Sequence, residues 1–397
     1  VRVVSKLAQA SEPTLPFEPT EPAAAEFFAG IGLARLGLEQ AGFRVTWAND
    51  IEPAKRNMYE QNFTDDTHPF ILDDIANVGA ADLPPGRLAL AWASSPCVDV
   101  SLAGARLGLS GARSAAFYQF TRILGELPSD QRPPVVTLEN VVGLATSHNG
   151  ADLKAAVKEL NELGYSVDVL TLDARWFVPQ SRPRLFVVGA LNPPENTPGA
   201  NPLLRPAWLQ APFQDKSLRT HRYLLPDIHP SPDISLSQVV ERLSRNDPRW
   251  WDEVRKKAFE GQLSQIQGAR LEQLRLAPET THRTAYRRTR QGKPQWEIRA
   301  DDIAGCLRTA RGGSSKQAVV EVGDGDFRVR WMTGIEYARL MGAGDYVIDG
   351  HRDSHLIFGF GDAVCVPAVT WLGRHYLMPL AQQAAEKIDK RLVAVGA

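Results

Sequence analysis

From Ala23 to Ala190 the chain alternates short apolar runs with amphipathic stretches, separated by glycine, proline and acidic punctuation. The run Ala23 to Phe28 leads into a glycine turn at Gly30 and Gly32. Leu33, Leu36 and Leu38 then fall on the apolar side of a helix that stops at Gly42. Phe43 to Ala48 reads as a second strand ending at Asn49-Asp50-Ile51-Glu52, and Pro53 opens the next helix. A third unit ends at Leu72-Asp73-Asp74-Ile75. Leu88 to Trp92 is a continuous apolar run, the signature of a strand buried on both faces. Helix follows over Phe117 to Leu127, then a β-branched strand from Pro133 to Leu138 ending in Glu139-Asn140-Val141. An amphipathic helix over Ala151 to Leu163 and strands at Ser166 to Leu172 and Arg184 to Ala190 complete the series. Strands alternating with helices at this spacing predict an α/β fold with a doubly wound, mostly parallel, Rossmann-like sheet.

The pattern breaks at the Pro/Asn/Gly-rich stretch from Leu191 to Gly199. Irregular sequence with scattered tryptophans follows, and order resumes at Arg330, with a helix from Gly334 to Met341 and an apolar helix ending near Leu377. The expected organisation is a loose arm over residues 1–24, a main domain built from 25–190 and 352–397, and a smaller inserted domain over 191–351. The inserted tryptophans are expected to be core rather than base-stacking platforms.

Composition narrows the class. Hydrophobic content of 43% and charged content of 23% are ordinary for a globular protein. Cys97, Cys306 and Cys365 cannot all pair and show no zinc spacing, which fits a reducing compartment. No apolar run in the sequence approaches a membrane span, and no secretory signal pattern opens the chain. The net charge of -1 hides an asymmetry. Residues 191–330 carry 23 Lys+Arg against 17 Asp+Glu, densest around Arg287, Arg288, Arg290, Lys293, Arg299, Arg308 and Arg311. A basic block in a near-neutral chain points to a polyanion, although a solvated surface also accounts for a charge count.

Candidate chemistry lies at strand ends. Ser94-Ser95-Pro96-Cys97 follows a buried strand, so its thiol is placed at the carboxyl edge where open α/β sheets bind ligands. It is either a nucleophile there or a small buried hydrophobe. Asp50, about twenty residues past the glycine turn, stands where a ribose diol is commonly held. Leu102 to Ser114, rich in Gly, Ala, Ser and Arg, has the composition of a mobile lid. Cys365 is expected in the core, and Cys306 is expected to have no catalytic role.

Taken in order, these motifs resemble those of the cytosine-C5 DNA methyltransferases. Phe28-Ala29-Gly30-Ile31-Gly32 is similar to the family's cofactor loop, Asp50-Ile51 to its ribose site and Asp74-Ile75 to its adenine site. Pro96-Cys97 is similar to the nucleophile motif, Glu139-Asn140-Val141 to the catalytic glutamate motif, and Gln180-Ser181-Arg182-Pro183-Arg184 to the Gln-x-Arg-x-Arg motif. Gly359 to Val364, including Asp362, is similar to the returning cofactor motif. The departures are Glu26 where aspartate is common, Val98 where glutamine is common, and Asp362 where asparagine is usual.

The resemblance implies a transferase that uses S-adenosylmethionine, releases S-adenosylhomocysteine and needs no metal. Cys97 would add to C6 of a flipped-out cytosine, Glu139 would serve N3, and Arg184 with Arg182 would stabilise the ring charge. Phe28, Gly30, Gly32, Asp50, Ile51, Asp74, Ile75, Pro96, Asp362 and Val364 would form the cofactor site. Ser101, Arg106, Arg113 and Gln180, with Arg287, Arg288, Arg290, Arg308 and Arg311 of the inserted target-recognition domain, would contact double-stranded DNA. The expected protein is a cytoplasmic, nucleoid-associated monomer without membrane contact, serving a restriction-modification or other defence system. An RNA cytosine methyltransferase, a non-enzymatic DNA-binding regulator and, more distantly, a nicotinamide dehydrogenase are the alternatives.

Overall fold

The computed structural model describes residues 21–64, 69–96, 115–197, 201–228, 235–309 and 316–396. Cys97, Ser101, Arg106, Arg113 and Arg311, and nearly all of the expected N-terminal arm, lie outside the described residues.

Seven strands form the main sheet: β1 (Ala23–Phe27), β2 (Arg44–Asp50), β3 (Phe70–Leu72), β4 (Leu90–Ser94), β5 (Val135–Val141), β6 (Ser166–Asp173) and β7 (Pro183–Ala190). Their spatial order is β3-β2-β1-β4-β5-β7-β6. Pairing is parallel from β3 to β5, whereas β7 runs antiparallel between β5 and β6. Successive residues of a strand serve opposite cores, as the pleat requires. Leu90 and Trp92 of β4 join one hydrophobic cluster, and Ala91 and Ala93 join the other. The first cluster takes helices Leu33–Gln40, Gly334–Leu340, Asp353–Asp362 and Val366–Leu372; the second takes Ala115–Glu126 and Ala151–Glu162. Both faces are therefore covered, which is why the central strands read as unbroken apolar runs.

A second sheet comprises β8 (Thr281–Arg290), β9 (Lys293–Ile298), β10 (Gln317–Gly323) and β11 (Asp326–Trp331), all antiparallel, in the order β11-β10-β8-β9. It has its own core, in which Trp251, Phe259 and Trp296 pack with Val320, Phe327 and Val329. Trp251 and Trp296 are thus core residues, as expected, with ring centroids 5.6 Å apart.

Segments on both sides of the small sheet pack into the large core. Leu204, Leu225, Ile228, Leu236 and Val240 belong to the large core, as do Tyr337, Leu340 and Met341. A buried polar network fixes the first of these segments: Arg205 Nε donates to Asp168 Oδ1 of β6 at 2.9 Å, and Tyr376 Oη donates to Asp168 Oδ2 at 2.8 Å. His221 lies between Ser166 Oγ (3.1 Å) and Tyr376 Oη (3.0 Å), and burial lowers its imidazole pKa to about 4. Among the described residues, the buried members of the separate core lie between Trp251 and Val329.

Contrary to the expectation that no run approaches a membrane span, the C-terminal helices between Asp353 and Lys387 form one run long and apolar enough to cross a membrane. Its apolar window is 72% buried within the protein, so the sheet it covers accounts for its composition.

Candidate active site and donor pocket

The loop after β1 turns sharply. Phe28 (φ 57°), Gly30 (φ 60°) and Gly32 (φ 80°) all take left-handed backbone, a costly conformation for the phenylalanine. At Gly32 a Cβ would lie 2.3 Å from the Phe63 ring, so only glycine fits. The loop is tied to β2: Ala29 N donates to Asn49 O at 2.8 Å, and Gly30 N donates to Asp50 Oδ2 at 2.8 Å. Asp50 Oδ1 also accepts from Glu52 N at 2.9 Å. A carboxylate offers about four acceptor positions, so the buried Asp50 retains capacity for a diol. Beside it Ile51 is 62% exposed, an apolar surface suited to a flat ring.

Asp74 is exposed and accepts from Ala76 N at 2.9 Å, capping the turn Ile75–Asn77. Ile75 and Val364 are buried in the core and hold the surrounding backbone. Next to the loop a cavity of about 240 Å³ is lined by Glu52, Ala54, Lys55, Met58, His355 and Phe358. The glycine loop, the strand-end carboxylate and the exposed apolar side chain fit an adenosine-bearing cofactor such as S-adenosylmethionine.

Parallel pairing sets Glu139 of β5 opposite Ser94 of β4, just before Ser95 and Pro96. Asn140 Nδ2 donates to Ser95 O at 3.4 Å, so the glutamate motif and the chain leading to Cys97 are held side by side. On the other flank, Arg184 of β7 places Nε 2.9 Å from Glu139 Oε1. Burial raises the Glu139 pKa, and the neighbouring Arg184 and Arg182 charges only partly oppose it. The result is a carboxyl that holds a proton more readily than usual, beside a guanidinium.

Two expected contacts have other work. Arg182 is 1% exposed, and its guanidinium donates to Leu307 O at 2.7 Å, Gly361 O at 3.2 Å and Ala363 O. It is a strut behind the site. Gln180, expected at the DNA, is fully buried: Nε2 donates to Leu340 O at 2.7 Å and Oε1 accepts from Leu307 N at 3.2 Å. In this enclosure both ends of its amide are committed to the protein backbone.

Together Gln180 and Arg182 stitch the stretch 304–308 onto the main domain, where it packs against Gly361. A Cβ on Gly361 would meet the Arg308 backbone at 2.6 Å. This stretch brings in Cys306, whose Sγ lies 3.5 Å from Arg182 Nη1. Burial pushes its thiol up, and the Arg182, Arg184 and Arg308 charges outweigh that effect, leaving it below the usual thiol range. Local sequence carries no sign of this placement. Cys365 is buried in the core, as expected.

Arg288 and Arg290 are exposed on β8 and share one partner, Glu297, at 3.5 and 2.7 Å. Arg287 is half-buried on the same strand, and Arg308 is exposed near the Arg182–Arg184 cluster. The basic density is therefore present, with part of its charge balanced internally.

A family-wide sequence profile described as C-5 cytosine-specific DNA methylase matches residues 23–377. Among curated relatives, the Type II methyltransferase M.Bsp6I of Bacillus sp. (strain RFL6) is 34% identical over 172 residues, 42% of this chain and 52% of that protein. The Type II methyltransferase M.HaeII of Haemophilus aegyptius is 35% identical over 168 residues, 42% of this chain and 50% of that protein. The chain thus spans about half the length of the curated relatives it matches. Among solved structures, the Entamoeba histolytica methyltransferase EhMeth superposes with a TM-score of 0.60 at 14% identity, covering 92% of this chain and 99% of that one. The S. pombe Dnmt2 methyltransferase gives 0.60 at 17% identity, covering 90% and 99%. At such identities these likenesses speak to the fold.

Proposed function

Because this chain belongs to the C-5 cytosine-specific DNA methylase family, we propose that it methylates C5 of a cytosine flipped out of a specific duplex DNA sequence, through a covalent bond between Cys97 and C6. The observation that carries this reading is the Glu139–Arg184 pair beside the strand that leads into Pro96-Cys97.

Cytosine C5 is a weak nucleophile, so the ring must first be activated. Addition of the Cys97 thiolate to C6 pushes an electron pair toward N3 and C5. The raised pKa of Glu139 suits it to hold a proton at N3. Arg184 keeps Glu139 oriented and places positive charge where the ring oxygen O2 becomes more negative. S-adenosylmethionine, bound by the Phe28 to Gly32 loop, Asp50 and Ile51, supplies an electrophilic methyl group on a sulfonium. After methylation, loss of the C5 proton to a base expels the Cys97 thiolate and restores the aromatic ring. Arg182 and Gln180 act by positioning, since both are buried and hydrogen-bonded to backbone carbonyls within the protein. Arg287, Arg288, Arg290 and Arg308 contact the DNA backbone from the small unit and its returning stretch. The relatives' Type II designation supports service in a restriction-modification system, acting on chromosomal DNA.

Incubation with duplex DNA and methyl-labelled S-adenosylmethionine should place label on cytosine at one recurring sequence. Bisulfite sequencing of DNA from cells expressing the protein reads that sequence directly. Label appearing on RNA alone, or on no nucleic acid, overturns the proposal.

A further inference from the structure

Lys55 and Asp362 are 307 residues apart in sequence, yet Lys55 Nζ lies 2.5 Å from Asp362 Oδ2. Lys55 sits on helix Pro53–Asn62, which follows the ribose-site strand β2, and Asp362 ends helix Asp353–Asp362. The lysine also lines the cavity beside the glycine loop, with Nζ 5.5 Å from the Phe358 ring centre. Asp362 meets the cavity through Lys55, which lines it, so the pair joins the first and last parts of the main domain at that cavity's edge. Its side chains differ in exposure, 13% for Lys55 and 52% for Asp362, so the carboxylate keeps an open face.

Asp362 is a charge at a motif position where an amide is usual. A carboxylate at a half-enclosed pocket is unfavourable without a counter-ion, and it would bias the pocket toward cations. Lys55 supplies that counter-ion. Burial would lower the Lys55 pKa, but Asp362, Asp50 and Glu52 outweigh it and hold the ammonium charged. Partial burial would raise the Asp362 carboxyl, and Lys55, then Arg182 and Arg184, hold it below the usual range.

We propose that Lys55 and Asp362 form one charge-matched unit of the methyl-donor pocket, with Lys55 the positioning residue that lets a carboxylate stand there and sets how strongly the pocket discriminates cationic donor from neutral product. The inference rests on reading this pocket as the S-adenosylmethionine site. The donor carries a sulfonium charge that S-adenosylhomocysteine lacks, so any net charge left at the pocket acts on one ligand and not on the other. Removing Lys55 leaves a net negative charge and favours the donor. Removing the Asp362 charge leaves a net positive one and favours the product.

The test is calorimetric binding of S-adenosylmethionine and S-adenosylhomocysteine to the full chain, without turnover. The ratio of product Kd to donor Kd should rise about three- to tenfold in Lys55→Met and fall by a similar factor in Asp362→Asn, the range set by a charge near a solvent-exposed pocket. Lys55→Met should also weaken product binding about tenfold, and Lys55→Met/Asp362→Asn should restore it to within about threefold of wild type, because the amide needs no counter-ion. Lys55→Arg, which keeps the charge, should leave the ratio unchanged. If Lys55→Met does not fold, a ratio that falls in Asp362→Asn and stays unchanged in Lys55→Arg still decides the matter. Ratios that stay fixed or move together, or a double variant no better than Lys55→Met, overturn the pair. Wild-type protein that binds neither ligand overturns the donor-pocket reading instead.

Discussion

Arg184 Nε lies 2.9 Å from Glu139 Oε1, across the antiparallel seam between β7 and β5. Strand β7, antiparallel to both of its neighbours, thus delivers a guanidinium to a carboxyl that burial has made a better proton holder. If the two act on one cytosine ring, their removal should slow its activation without preventing donor binding.

DNA carrying 5-fluorocytosine at the target site tests that step. Fluorine cannot leave as a cation, so after methyl transfer the Cys97–C6 bond should persist and the protein–DNA adduct should survive denaturing electrophoresis. The adduct should require S-adenosylmethionine and be absent in Cys97→Ser. Glu139→Gln should form it about 100-fold more slowly, the usual size of a lost proton-transfer group. Methylation of ordinary DNA with no adduct on the fluorinated site would count against covalent catalysis.

Gln180 is a structural residue on this geometry. Gln180→Ala leaves Leu340 O and Leu307 N without their buried partner, and should cost about 2–4 kcal/mol of stability. Urea unfolding should show a lower midpoint, while the dependence of DNA affinity on salt should keep its slope. Weaker DNA binding at fixed salt and unchanged stability would return Gln180 to the DNA interface.

The small-unit hairpin makes a quantitative claim about charge. Each phosphate contact contributes about one unit to the slope of log K against log salt. Arg288 and Arg290 share Glu297, so replacing Arg287, Arg288 and Arg290 with glutamine should lower the slope by about two rather than three. Glu297→Gln should strengthen DNA binding at low salt by freeing those guanidiniums. Equal affinity in that variant would show that the hairpin faces away from the duplex.

Glu26 predicts a pH dependence. Its carboxyl is fully buried at the end of β1, Oε2 has no hydrogen-bond partner, and burial raises its pKa from 4.5 to about 8. The unfolded chain ionises this group near pH 4.5 while the fold keeps it protonated. Its stabilising contribution is therefore complete below pH 4.5 and is lost as the pH rises through about 8. One proton amounts to about 1.4 kcal/mol per pH unit, so between pH 5 and 8 the wild type should lose up to about 4 kcal/mol relative to Glu26→Gln. Urea unfolding across that range measures the difference, and parallel curves would exclude the linkage.

Much of the main domain was legible in the chain because its information is local. Strands buried on both faces must be apolar throughout, and helices between them must carry one apolar stripe. Leu33–Gln40, Val135–Val141 and Ala151–Glu162 accordingly stand within a few residues of where periodicity put them. The glycine loop was legible for a similar reason: left-handed backbone and close packing at Gly32 leave a mark in the residue type itself. Tertiary structure decided what depends on partners distant in sequence. Nothing near Gln180 or Arg182 says that each is enclosed by the stretch 304–308, and nothing near Cys306 says that it meets three arginines. The described residues 204–228 have no periodicity, yet Asp168 and Tyr376 anchor Arg205 and His221 to the main core. The motif around Asp362 marks it as a candidate cofactor residue but says nothing of Lys55, and only the return of the C-terminal helices sets one 2.5 Å from the other. Residue type and spacing fix which elements form, because those depend on neighbours a few residues away. Which charges are neutralised and which polar groups remain free depends on chain closure, and that is settled only when distant segments meet.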